Sequence, residues 1–529
     1  MAIPKILRSV LFSFILVCPF AIRAESEHAG ASKVHGPLSN PNQLPIAKVQ
    51  EFFGTSVENA KTVSTLLNLD GREELLTQPA ALTVAMFEHL YCTWPAEERA
   101  SFLALGDDRA AKMKFLSERY NFVYWPENQN RPVGVSFDNY GGMHVNCLMC
   151  HMSRCSDDQL RVGAPHTPNI SRLLNDLADL QDINQALREG KTGRRADLPK
   201  DCAAPLFKEY SSQTRNLTKV FAYQGTTNAF NYSEFLAKLR DPKDMEVKKG
   251  YWWQNAWSNS KAFKEFVDHR TGDYPIPWWS SAYKKKKGVP LYHTGAVGAY
   301  ALNGDEHNKD NFTAIHTTFF TPGNSWAELE KHKDVMLAID KLVEDTPMPP
   351  KPKLDATLVD KGKTIYLQKG CQKCHGTYGA TPDDDVPPNA TYNMGTDVQL
   401  SRTVNGFIEQ ITPSKKFRAS AFKAHPEGAY QAPPLRGLSC KGSLMHNGSV
   451  PGLDAMLRNG AGRPKHFELT GKRTPFGNEF KVATPETPGK EKKYTVYNTT
   501  VKGFSNRGHL MPNFTEAERE ALMNYLSSL

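Results

Sequence analysis

A mostly α protein with long irregular loops, built from two units of which the first is heavily elaborated, is the fold class that the sequence predicts. Three observations carry it. Helical periodicity recurs in segments spread along the chain, a proline-rich connector interrupts it, and one short cysteine motif occurs once on each side of that connector. The 529 residues are 40% apolar and 23% charged, an ordinary globular composition, and 37 Gly with 35 Pro are too few for a collagen-like or low-complexity chain. At roughly 100–200 residues per domain, the length implies two or three domains, each able to bury a core without staples.

The elements follow in chain order. Residues 1–24 combine Lys5 and Arg8, an apolar run from Val10 to Phe20, and Ala24 before Glu25, the pattern of a cleaved export signal. The apolar run is shorter than the ~20 residues that a bilayer demands, Cys18 in Leu-Val-Cys-Pro is a poor lipoprotein site, and no later segment sustains enough apolar residues to span. The expected location is therefore the periplasm or the exterior. Residues 25–350 form the first unit, in which Ser171 to Leu187 and Ser325 to Val343 are the clearest helical stretches. Glu344-Asp-Thr-Pro-Met-Pro-Pro-Lys-Pro-Lys353 is stiff, extended and charged, which places the border near residue 350.

In the second unit, 351–529, the segment Asp360 to Tyr366 leads as a helix into Cys371. Thr515 caps the last helix with Glu518 three residues on, and Leu522, Tyr525, Leu526 and Leu529 share one face. Convincing alternating strands are scarce. The balance of 65 Lys plus Arg against 56 Asp plus Glu gives +9, and the most basic run, Lys284 to Lys287, lacks an accompanying aromatic stacking motif. It is expected to be a solvated loop, and nucleic-acid binding is excluded.

The cysteines are the informative feature. Cys147-Leu-Met-Cys150-His151 and Cys371-Gln-Lys-Cys374-His375 are both C-x-x-C-H, a pattern expected by chance about 0.005 times in a chain of this composition. Two thiols at this spacing add across the vinyl groups of a haem, and the adjacent His is held where its imidazole ligates the iron. A zinc site would want further Cys or His at matching spacing, a thioredoxin-like site would not need two copies, and a structural disulfide would not need His. Export agrees with two covalently bound c-type haems, since attachment of this kind follows translocation. The remaining Cys92, Cys155, Cys202 and Cys440 are an even set in an oxidising compartment, for which disulfides are expected, and three pairings are open.

Longer segments extend the match. Asn146-Cys-Leu-Met-Cys-His151 with Val162-Gly-Ala-Pro165 resembles the first haem segment of exported di-haem cytochromes related to rubber oxygenase and, more distantly, of di-haem cytochrome c peroxidases. Ala432-Pro-Pro-Leu-Arg-Gly437, Met445-His-Asn-Gly-Ser-Val-Pro451, Arg463-Pro-Lys-His-Phe467 and Gly503-Phe-Ser-Asn-Arg-Gly-His509 stand in the order of the rubber oxygenase branch. The resemblance covers most of 360–529 and patches before it.

It implies a reactive first haem, with His151 as proximal ligand and an open or exchangeable face for oxygen or peroxide. It also implies a second haem held by His375 and His509 that feeds or stores electrons. Ligation by two His fills both axial sites, which suits electron transfer. Where relatives have Asn, this chain has His166, either a distal group on the first haem or a loop His without iron contact. The family places an aromatic between the haems, for which Trp278 and Trp279 are the candidates ahead of Tyr251-Trp-Trp253 and Trp257. His446 is placed near the second haem, at a propionate or as a turn former. Di-haem peroxidases hold calcium, but no Asp-rich loop here predicts it, and Asp383 to Asp385 is expected to be a solvated turn.

Two functions stay open: an oxidoreductase that activates oxygen or peroxide at the first haem, or an electron carrier without catalysis of its own. The long elaboration around the first motif, more than a carrier requires, favours the enzyme. A periplasmic electron donor or acceptor is the expected partner; the organic substrate is open among a polyisoprenoid, a peroxide and a protein side chain. Pyridine haemochrome analysis is expected to return two haems per chain, both resistant to acid acetone, and replacing Cys371 or Cys374 should remove only the second.

Overall fold

The computed structural model describes residues 45–67, 82–128, 131–137, 142–189, 202, 225–226, 271–289, 333–388, 391–403, 427–484 and 495–529. The export signal at 1–24 and the aromatics at 251–253 and 257 lie outside the described residues. Nine α-helices of eight or more residues carry the described structure: α1 (Ile46–Phe53), α2 (Val57–Leu67), α3 (Ala96–Leu103), α4 (Arg109–Arg119), α5 (Ile170–Arg188), α6 (Trp278–Lys286), α7 (Lys333–Glu344), α8 (Ala356–Gln368) and, last in the chain, α9 (Glu516–Ser528). Among the described residues no helix is long and apolar enough to cross a membrane.

Two cores fill the first unit. One gathers Phe87, Trp94, Tyr120 and Leu177 beside the Cys92–Cys202 disulfide. Its polar knot is Asp176 of α5, which accepts from Tyr120 Oη at 2.7 Å and from Arg119 Nε at 3.2 Å, so α4 and α5 are locked where both are apolar. The other core packs Val63 and Leu67 of α2 against Leu148, Trp278 and Leu342. The expected helix at Ser171 to Leu187 is α5, whose Asn169 cap accepts from Arg172 N. The described part of the expected helix at Ser325 to Val343 is α7.

The connector runs without helix or strand from Met348 to Asp355, whose carboxylate caps α8 by accepting from Thr357 N at 2.8 Å. In the second unit α8 packs on α9, and Tyr366, Leu522, Tyr525 and Leu526 form the buried seam with Leu453 and Val450. The expected capping box is present: Thr515 Oγ1 accepts from Glu518 N, and Glu518 accepts from Thr515 N at 2.8 Å.

Three expectations are corrected. An antiparallel hairpin, His466–Thr474 with Gly477–Val482, is joined on its other edge by Val496–Asn498. Of its inward residues only Phe467 is fully buried while most of the strand is half-exposed, so no alternation of apolar and polar residues marked it. Lys284 to Lys287 is not a solvated loop. It is the end of α6, where cations suit the exposed carbonyls of the helix terminus. Lys284 is buried and donates to Gln431, Lys285 pairs with Glu344, Lys286 pairs with Asp383 at 2.7 Å, and Lys287 donates to the carbonyls of Asp383 and Asp385. Asp383 and Asp384 do form an exposed turn, but Asp385 is buried against Arg436, whose Nε donates to it at 2.8 Å.

The crossing of α8 and α9 depends on Gly362, where an added Cβ would stand 2.0 Å from the Ala521 carbonyl oxygen. Gly362→Ala is expected to destabilise the protein by about 1–3 kcal/mol through overpacking. Thermal unfolding checks it; an unchanged or raised Tm would contradict the packing.

Candidate functional site

Each C-x-x-C-H motif is a tight turn braced from outside. In the first, Cys147–Met149 forms one turn of 3-10 helix whose cap, Asn146, is a buried crosspiece. Its Oδ1 accepts from Leu148 N at 3.0 Å, while its Nδ2 donates to the Leu66 carbonyl at 2.9 Å and to Ser136 Oγ at 3.0 Å. Leu148 and Met149 point into the two different cores of the first unit, which leaves Cys147, Cys150 and His151 half-buried on the remaining side. Neither cysteine is in a disulfide. Burial pushes the Cys147 thiol up to about 11 and Cys150 up to about 12, the opposite of the lowered thiol that a redox or nucleophilic site needs.

In the second motif, Cys371 and Cys374 are likewise free of disulfides, and the turn Gln372–His375 is held by tyrosine hydroxyls. Tyr366 donates to the Gly376 carbonyl at 2.7 Å and Tyr378 to the His375 carbonyl at 2.8 Å, while Tyr378 Oη accepts from Leu435 N. With the ring proton on Nδ1, His375 donates to the Pro433 carbonyl at 3.4 Å, a contact that would leave Nε2 able to ligate a metal. Opposite it stands His509, 134 residues along the chain, with ring centroids 5.9 Å apart. Two imidazoles on opposite sides of one metal, each at a bond of about 2 Å, put their centroids roughly 6 Å apart. The spacing fits a shared iron. His509 holds a left-handed backbone at φ 46°, a conformation that costs a residue with a Cβ about 1–2 kcal/mol and so needs outside restraint.

A joint that no single segment builds links the surroundings of the two motifs. Cys155, four residues after His151, is disulfide-bonded to Cys440, and Trp279 and Ala164 pack around the bridge. Helix α6 runs through this joint. Its Trp278 stacks on the His151 ring at 5.1 Å and 24°, and Trp278 N donates to the Gly163 carbonyl, itself adjacent to the strand after the first motif. The neighbouring Trp279 faces the other way: its Nε1 lies 2.5 Å from where a Cβ on Gly437 would stand, next to Arg436. Just before α6, Tyr274 N donates to the His446 carbonyl at 2.9 Å. Arg473 closes the joint by donating to the carbonyls of Cys440 at 2.9 Å and Pro165 at 2.7 Å.

The remaining candidates sort as follows. His446 stacks on Tyr430 at 4.0 Å and 12°, and its Nε2 finds no partner among the described residues. The same is true of the buried Trp279 Nε1. Orphaned polar atoms beside paired, undisulfided Cys and facing imidazoles are a donor set that fits haem carrying carboxylate side groups. His166 does not join the set. It is buried, its Nε2 donates to the Asn121 carbonyl at 2.5 Å, and its Nδ1 lies 3.5 Å from Ser153 Oγ, so both ring nitrogens are engaged away from His151. Sequence reasoning missed Arg473 and the role of Arg463, which the resemblance only placed in a shared segment, because bonds to backbone carbonyls leave no mark in the sequence.

Comparison with known proteins agrees with this chemistry. A family model described as RoxA-like, cytochrome c-like matches residues 429–468. That stretch contains Pro433, Gly437, Cys440, His446 and Arg463 and neither attachment motif. A relative, the uncharacterized protein y4iJ of Sinorhizobium fredii (strain NBRC 101917 / NGR234), is 35% identical over 111 residues, 19% of this chain and 18% of its own length. The chain thus carries a cytochrome c-like region related to the RoxA type, a kind of domain that holds haem iron covalently and transfers electrons.

Burial pushes His166 down to about 4, with Arg473 adding to the effect and the Asn121 carbonyl opposing it. The unfolded chain, with an ordinary His value near ~6.5, takes up the proton first, so this contribution is whole above that value and is lost as pH falls toward about 4. Denaturant unfolding across this window should show stability declining, by up to about 3 kcal/mol from this group, and His166→Gln should flatten the slope. An equal slope in the variant would contradict the buried neutral state.

Proposed function

We propose that this chain is a periplasmic or secreted di-haem c-type cytochrome and an oxidoreductase, in which the first haem activates oxygen or peroxide and the second transfers electrons. Cys147, Cys150 and His151 would hold the first haem in the unit 25–350, and Cys371, Cys374, His375 and His509 the second in the unit 351–529. The observation that carries the electron-transfer part is the 5.9 Å spacing of His375 and His509, a pair that would hold one iron between them. Haem supplies one-electron chemistry and, where an axial position is exchangeable, binding of oxygen or peroxide.

The residues of the chain have distinct parts in this scheme. The Pro433 carbonyl orients His375 and keeps the proton on Nδ1. His151 carries Trp278 flat against its ring, and Trp279 continues the indole pair toward Arg436 and Gly437 in the second unit, so the two tryptophans supply an aromatic bridge between the centres. His446 and Trp279 Nε1 are buried donors suited to a haem carboxylate. The runner-up function is an electron carrier with both irons closed; the same His375–His509 pair serves it equally.

Titrating the dithionite-reduced protein with carbon monoxide separates the two. The oxidoreductase is expected to bind one carbon monoxide per two haems, and His509→Ala to bind two while keeping both haems attached. No binding at either haem would leave the carrier, and two molecules bound by the unaltered protein would remove His509 from the second iron.

A further inference from the structure

Of the four groups assigned to the second haem, His509 alone is not tied to the attachment motif, and it comes from an irregular loop with a left-handed backbone. Something must hold it. Arg463 lies beneath that loop, 3% exposed, with its guanidinium spread over the loop's own carbonyls. Nη1 donates to the Asn506 carbonyl at 2.6 Å and to the Gly508 carbonyl at 2.8 Å, and Nη2 to the His509 carbonyl at 3.0 Å and, at 3.4 Å, to that of Met456. Neighbours of Arg463 complete the grip: Asn506 Nδ2 donates to the Pro464 carbonyl at 2.9 Å, and Asn459 Oδ1 accepts from Met511 N at 3.1 Å. Among the described residues the partners of Arg463 are backbone carbonyls, so its charge is met there by carbonyl dipoles.

We infer that Arg463 is the positioning residue that keeps His509 on the second iron, a role that rests on the assignment of His509 as that iron's ligand. A planar fork is what the task demands. Three carbonyls of a curved loop, those of Asn506, Gly508 and His509, converge on fixed N–H directions that a lysine ammonium, a compact point charge, does not reproduce. The same buried charge lies near His509 and favours the reduced iron, since removing an electron from the centre adds positive charge beside it.

The test compares the full-length holoprotein with Arg463→Lys, Arg463→Gln and His509→Ala, each first shown by haem stain and pyridine haemochrome to retain both haems. Carbon monoxide association at the reduced second haem and the midpoint potential of that haem are measured. Both Arg463 variants should admit carbon monoxide at the second haem about tenfold or more faster than the unaltered protein. Arg463→Gln should also have a lower potential than Arg463→Lys, which keeps the charge. If His509→Ala opens the second haem and neither Arg463 variant does, the positioning role is wrong while the ligand assignment stands. If His509→Ala leaves the second haem closed, the ligand assignment itself fails. A further readout needs no variant: on heating the unaltered protein, the low-spin signature of the second haem should persist up to global unfolding, and its loss well below that temperature would overturn the clamp.

Discussion

The disulfide between Cys155 and Cys440 is the constraint on which the surroundings of both C-x-x-C-H motifs depend. It joins positions 285 residues apart, one just after the first attachment motif and the other between Pro433, which orients His375, and His446. In the chain-entropy view, closing so long a loop is worth on the order of 5 kcal/mol. Its larger consequence is geometric. Once the bridge is made, Trp279 has a fixed slot beside it, α6 is committed to the space between the units, and Trp278 is delivered to the His151 ring. Arg473 then binds carbonyls from both sides of the bridge.

A protein that relies on loops more than on sheets must find partners for many backbone carbonyls outside any ladder. Here buried and half-buried arginines supply them. Arg463 serves the His509 loop, Arg473 serves the joint, and Arg436 serves the Gly379 and Thr381 carbonyls while its charge is met by buried Asp385. Guanidinium suits this work because several donors in one plane satisfy several acceptors at once. Tyrosine hydroxyls do the equivalent for the turn of the second motif. The rigidity that a metal ligand on a loop would need is thereby obtained without regular secondary structure.

What could be read from the sequence is what is local. The two C-x-x-C-H motifs need only adjacency, the last helix shows its Thr515 cap and its apolar face, and the connector shows its prolines. Non-local facts were hidden in proportion to their sequence separation. Three cysteine pairings were equivalent on paper until packing brought Cys155 to Cys440 and Cys92 to Cys202. Lys284 looked like part of a solvated run because charge patterning reports composition, whereas a helix terminus packed against Gln431 decided its burial. His166 was open between distal group and idle loop residue, and it turned out to be a buried strut between Asn121 and Ser153. The hairpin at His466 to Val482 escaped because its strands bury too little to alternate.

His375 and His509, brought 5.9 Å apart by two loops and a buried arginine, are proposed to share one iron. Near-infrared magnetic circular dichroism of the oxidised, unaltered protein tests it most directly, because the charge-transfer band of low-spin ferric haem reports the pair of axial ligands. A shared iron gives a band of bis-imidazole type from one haem per chain. A band of His–Met type, or no low-spin ferric haem at all, would contradict it.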